Sequence, residues 1–220
     1  MELSFSTLAM CADKYGKGTL YGFDGADVGT VSESNAKRAY DELVRSEMID
    51  VSGDSVYINA FGQHILNMMI EPEIFIMLDN DFLGINVRVY VRNAYYLCAV
   101  EKKDGSAENL VMELLPNLKD VVSSFVYALY RESAEVASNA QESGGIRIVA
   151  KAWDEHRNPT SDMETYAEYC HENIRYHSVE TLGDQAKETD ESECEVSSLV
   201  NRLTKWMFDR ISEVITGKEA

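Results

Sequence analysis

The sequence predicts an α+β domain, with a mixed or antiparallel central sheet and amphipathic helices packed on it. Three observations carry this expectation. The middle of the chain changes from helical spacing to strand-like alternation. A run of strands followed by one amphipathic helix occurs twice, at 73–131 and at 146–216. A helix followed by a short hairpin, within residues 33–58, resembles a winged-helix segment. The doubled order admits a quasi-twofold pseudo-repeat, in which both halves pair into one sheet with both long helices on one face. An α+β protein without duplication builds the same order. One domain over 1–220 is expected. Its parts are a helical, winged-helix-like 1–70 and the two strand–helix halves.

The elements follow in chain order. Residues 2–14 read as a helix with Leu3, Leu8 and Cys11 inward. YGKGTLYGFDGADVG holds five glycines and reads as a loop. Ala36, Ala39, Tyr40, Leu43 and Val44 have the spacing of one helical face over 33–47. MIDV, a turn at SGD and SVYI form a hairpin. Asn59 caps a helix through Met69, with Phe61, Ile65, Leu66 and Met69 inward, and Pro72 ends it. EIFIML is a continuous apolar strand. NVRVYV places Val87, Val89 and Val91 on one face. YYLCAVEKKDGSAENLVMELL is strand, turn, strand. Pro116 and Asn117 open a helix with Leu118, Val121, Val122, Phe125, Val126 and Leu129 inward. GIRIVAKAWDE and NIRYHSVET read as strands, and DMETYAEYC is ambiguous in period but compatible with one. LGDQAKETDESECE reads as an acidic loop. A last helix over about 195–216 buries Leu199, Leu203, Trp206 and Met207.

Composition narrows the function. The 220 residues carry 38 acids against 20 bases, a formal charge of −18. Such a surface repels nucleic acid and anionic membranes and suits a basic or neutral protein partner. Hydrophobic residues make up 45% of the chain, enough for a real core, and Pro numbers only 3. The first residues have no basic stretch before an apolar one, so no signal peptide is expected. No apolar run approaches a membrane span. These features predict a cytoplasmic protein. Its four cysteines, Cys11, Cys98, Cys170 and Cys194, are expected as reduced thiols.

No catalytic motif is present. Gly16-Lys17-Gly18-Thr19 matches no phosphate-loop pattern. Cys170, His171 and His177 lack the paired spacing of a zinc site. No nucleophile elbow occurs. No enzyme, no cofactor and no metal are expected. The sheet is aromatic, which suits protein recognition or plain strand propensity. Phe75, Tyr90, Tyr95, Trp153 and Tyr176 are the candidate partner contacts.

The winged-helix stretch raises the question of DNA. Its would-be recognition helix has Lys37, Arg38 and Arg45, but also Glu33, Asp41, Glu42 and Glu47. Its hairpin holds Asp54 and no base. Neither element suits a phosphate backbone. A winged-helix transcriptional regulator with an appended sensor domain remains the alternative reading.

From Leu43 to Leu129 the order of features is similar to EspG proteins, the cytosolic chaperones of ESX (type VII) secretion systems. LVRSEMIDVSGDSVYI resembles that family's helix and acidic-glycine hairpin. ILNMMIEPEIFIML resembles its helix–strand joint. AYYLCAVEKKDGSAENLVMELL and LPNLKDVVSSFVYAL resemble its strand pair and following helix. The second half, from GIRIVAKAWDE to SSLVNRLTKWMFDRI, is also similar. The chain is shorter and more acidic than that family. The resemblance implies a quasi-twofold fold without catalysis. It also implies a chaperone that caps a helical-hairpin cargo, a secreted protein of the WxG, LXG or PPE type. A homodimer stays open.

Overall fold

A computed structural model describes residues 1–15, 20–23, 33–80, 85–102, 109–117, 119–121, 145–154, 156–170, 173–182 and 185–194. Within the C-terminal segment it describes 198, 201–202, 204–206, 208–209 and 212. The centre is a nine-stranded sheet in the order β1-β7-β6-β5-β4-β8-β9-β10-β11. Its strands are β1 (Glu2–Ser4), β4 (Ile74–Asn80), β5 (Ile85–Arg92), β6 (Tyr95–Lys102), β7 (Asn109–Leu115), β8 (Gly145–Trp153), β9 (Pro159–Cys170), β10 (Asn173–Leu182) and β11 (Gln185–Cys194). Every described pairing is antiparallel, so the sheet is antiparallel rather than mixed. Two four-strand meanders meet at the β4–β8 pair, with Met77 opposite Val149. The hairpin of β2 (Ile49–Ser52) and β3 (Ser55–Ile58) forms a separate small sheet.

Three helices belong to the N-terminal part: α1 (Phe5–Tyr15), α2 (Glu33–Arg45) and α3 (Ala60–Ile70). The expected first helix over 2–14 is corrected at its start. Glu2–Ser4 pairs with β7 as an edge strand, and only then does the chain turn helical. Asn59 caps α3 as expected, its Oδ1 accepting from the Gly62 N–H at 2.9 Å. Ile65, Leu66 and Met69 are fully buried, whereas Phe61 in the first turn is exposed. Asn117 Oδ1 accepts from the Asp120 N–H at 3.1 Å, and Val121 is buried. Leu118, Val122, Phe125, Val126 and Leu129 lie outside the described residues, as do Leu199, Leu203 and Met207.

The core that positions the site lies between α1, α3 and one face of β4–β7. Leu8, Ile65, Leu66 and Met69 pack there with Phe75, Tyr90, Leu97 and Met112. Each such apolar side chain stabilises the fold by roughly 1.5–3 kcal/mol when fully buried. A short strap, Leu20–Phe23, crosses this face. The Tyr21 N–H donates to Met69 O at 2.8 Å, and the Tyr90 hydroxyl donates to Tyr21 O at 3.0 Å. Arg88 Nε donates to Gly22 O at 3.2 Å while its guanidinium lies 3.9 Å over the Phe23 ring. Gly22 has φ +79°, and a Cβ there would come within 2.4 Å of the Phe75 ring. Only glycine meets both demands.

The acidic stretch expected as a loop contains a strand. Residues Gln185–Cys194 pair with β10, from Leu182↔Gln185 to Ile174↔Cys194. Its signal is silent because it is the sheet's last strand. Gln185, Ala186, Lys187 and Glu188 are all exposed, so this stretch needs no apolar face.

Candidate functional site

Paired residues in an antiparallel ladder point to the same side of a sheet. The register therefore carries one face across all the strands. Phe75, Tyr90, Leu97 and Met112 belong to the face that α1 and α3 cover. Beyond β4 the same face continues through Arg147, Val149 and Lys151, then Asp162, Glu164 and Tyr166, then Arg175 and His177. There, Arg147, Glu164, Tyr166, Arg175 and His177 are exposed. On the opposite face Ile148, Ala150, Met163 and Thr165 are buried. One half of the sheet thus presents an open platform.

That platform is patterned. Arg147 Nη2 lies 2.7 Å from Glu164 Oε1, and Lys151 Nζ lies 3.3 Å from Asp162 Oδ2. These exposed cross-strand pairs contribute little to stability, about 0–1 kcal/mol each. Tyr166, 46% exposed, stands beside them. Its ring covers Gly145, where an added Cβ would lie 2.7 Å from the tyrosine oxygen. Charges of both signs around an exposed tyrosine suit a protein surface rather than a small ligand. Among the described residues no group of three His, Cys, Asp or Glu side chains could hold a metal ion.

The expected contact residues divide. Phe75 and Tyr90 are corrected to core positions, sealed beneath the helices by Leu66, Met69 and the strap. Burial pushes the Tyr90 phenol far above its ordinary range, although the neighbouring Arg88 acts the other way. Tyr95 is 55% exposed. It follows a tight turn in which Asn93 and Ala94 take φ of 51° and 60°, the geometry of a type I′ hairpin. Its ring meets His64 edge-on, with centroids 4.6 Å apart. Trp153 is half-buried at the end of β8. Tyr21 meets it edge-on at 4.9 Å, and the Arg157 guanidinium lies 4.9 Å above it. Tyr176 lies on β10 opposite Ala167, and its side chain falls outside the described residues.

Phe75, Tyr90 and Tyr95 share one face of the sheet by register, and Trp153 joins that face through Tyr21. Three of them join into one aromatic chain: Trp153–Tyr21 at 4.9 Å, Tyr21–Phe75 at 4.9 Å and Phe75–Tyr90 at 5.3 Å. The link is Tyr21, hidden in the glycine-rich stretch. Tyr95 and Trp153 stand at the same end of the sheet, since β4 begins where β5 and β8 finish. Between them Arg92 pairs with Glu71 at 3.1 Å, and Arg157 donates to the Pro72 carbonyl. Burial holds the Arg157 guanidinium below its ordinary value, which Glu71 partly offsets. The sequence does not point to the exposed Arg147, Glu164 and Arg175 as contacts, and it brings up His177 only as a metal ligand of poor spacing. Their only signal is the alternation of β8 to β10.

No family model matches the sequence, and no curated protein is similar to it. Among solved structures the fold is similar to that of EspG5, the type VII secretion system chaperone of Mycobacterium tuberculosis, in its complex with the PE25–PPE41 dimer. The TM-score is 0.56, with 96% of each chain covered and 8% identity. The similarity is one of fold.

Proposed function

We propose that this chain is a cytoplasmic, non-catalytic chaperone or adaptor of an ESX-like (type VII) secretion system. Its cargo is a secreted helical hairpin of the WxG, LXG or PPE type. The carrying observation is the end-to-end likeness in fold to EspG5, a chaperone seen with the PE25–PPE41 dimer. The open half of the sheet supplies a surface for such a cargo. The cargo's apolar tip settles on β8–β10, against Tyr166, and reaches Trp153 and Tyr95 at the end of the sheet. Tyr176 pairs with Ala167, in the register of the other face, and is not part of this contact. Capping covers apolar surface that would otherwise aggregate, and an interface of about 1,600 Å² suffices for specificity. The acidic charge keeps the complex soluble and away from nucleic acid.

The strand order supports a quasi-twofold relation between the halves at 73–131 and 146–216, within one domain over 1–220. Among the described residues no helix is long and apolar enough to cross a membrane. Co-expression with the helical secreted proteins of the same locus, followed by size-exclusion chromatography, tests the reading. A co-eluting complex supports it. Separate elution of every candidate, or binding to DNA that weakens steeply with salt, counts against it.

A further inference from the structure

The unit formed by α2, the β2–β3 hairpin and α3 carries a surface that the cargo reading does not use. Ten large apolar side chains are exposed among the described residues, and six of them fall between Tyr40 and Phe61. Four of the six, Tyr40, Val44, Val51 and Phe61, line one groove of about 600 Å³. They are between 38% and 54% exposed. On α2 the stripe that turns inward is Ala39, Glu42 and Leu43. Tyr40 and Val44, one turn apart, are therefore apolar residues that the core does not take. Clustered apolar surface of this kind marks an interaction site.

The groove is built rather than loose. Asn59 Nδ2 donates to Glu47 O at 2.9 Å and lies 3.5 Å from Asp50 Oδ1. Its Oδ1 meanwhile caps α3. Gly62 lets α3 press on the hairpin, since a Cβ there would come within 2.4 Å of Met48 O. The charged side chains that line the groove are Glu47 and Asp50, with no base among them.

We propose that this groove docks an amphipathic helix of a partner protein, its apolar stripe flanked by Lys and Arg. The volume lies within the roughly 300–1,000 Å³ of typical binding pockets. It takes a few anchors spaced i, i+3 or i+4, and i+7. Glu47, Asp50 and the charge of −18 favour cationic flanks and disfavour phosphate. A second copy of the chain would set acidic rim against acidic rim. The proposal stands apart from the secretion reading, because its surface and its evidence are separate.

The test uses the full chain and a labelled helical peptide of roughly 18 residues, read by fluorescence anisotropy. The peptide has Leu at i, i+3, i+4 and i+7 with Lys and Arg beside them. One control scrambles the same composition, and another replaces the bases with Glu. The matched peptide binds at least about tenfold tighter than either control. Val44→Glu and Val51→Glu each weaken it about tenfold with unchanged melting curves. Arg147→Glu, on the open platform, leaves it unaffected. Equal binding of the scrambled peptide would reduce the effect to bulk charge and overturn the proposal. So would indifference to Val44→Glu and Val51→Glu. Concentration-dependent self-association abolished by Val51→Glu would assign the groove to a second copy instead.

Discussion

Glu42 is the one buried acidic residue among the described residues, only 7% exposed, and its removal has a calculable cost. Its Oε2 accepts from the Ser4 N–H at 2.8 Å, the Ser4 hydroxyl at 2.7 Å and the Thr7 hydroxyl at 2.6 Å. Its Oε1 meets Arg38 Nε at 3.1 Å. One carboxylate thus clasps α2 to β1 and to the start of α1. Glu42→Ala strands buried donors, at about 1–3 kcal/mol for each one left without a partner. The hydroxyls can turn to other acceptors, but the backbone N–H cannot, so the expected loss is about 3 kcal/mol. In a chain of this size that lowers the melting temperature by about 6–12 °C.

The same group has a pH signature. Burial raises its pKa, but the hydrogen bonds from Thr7 and Ser4 and the Arg38 charge outweigh burial and leave it lowered. A lowered folded pKa contributes stability above the unfolded value, about 4.3. That contribution fades as pH falls through the folded value. Urea unfolding of the protein and of Glu42→Gln at several pH values isolates the term. The difference between them should be full at pH 7 and should shrink below about pH 4.3. A Glu42→Ala cost under about 1 kcal/mol, or a Gln difference that does not change with pH, would refute the clasp.

Three other outcomes follow from particular contacts. Gly22→Ala adds a Cβ against the Phe75 ring at positive φ, and should destabilise by about 2–3 kcal/mol in thermal melts. Burial pushes the Cys11 and Cys98 thiols up to about 11, with Glu113 adding to the shift at Cys98. Iodoacetamide at pH 8 should therefore label these two residues only after unfolding, as read by peptide mass spectrometry. Arg147→Glu with Tyr166→Ala alters exposed side chains, so stability should stay within about 1 kcal/mol on chemical denaturation.

Much of the fold is legible in the residue pattern. Val87, Val89 and Val91 alternate and are all buried on one face. Asn59 announces the start of α3, and its side chain performs the capping. The misreadings have physical causes. β1 is three residues long, too short for a periodic signal, and is held by pairing with distant β7. β11 is an edge strand whose residues Gln185–Glu188 are exposed on both sides, so its acids look like a loop. On α2, Tyr40 and Val44 follow the helical period yet face outward, because Glu42 occupies the inward stripe with its own set of donors. The candidate site was less legible. Aromatic residues at strand positions do not reveal which half of a sheet face is covered. Helices α1 and α3 bury Phe75 and Tyr90 and stop short of Arg147 and Tyr166. That division depends on where the helices dock, which no local spacing encodes.

The most direct measurement co-expresses the chain with each helical secreted protein of its own locus. The wild type and the Arg147→Glu/Tyr166→Ala variant are then run side by side by size-exclusion chromatography with light scattering. The expected result is a stable wild-type complex with one of these proteins, and its loss or marked weakening in a variant that remains folded. If the wild type elutes apart from every candidate, the chaperone reading is contradicted. If the variant binds as well as the wild type, the open half of the sheet is not the cargo surface.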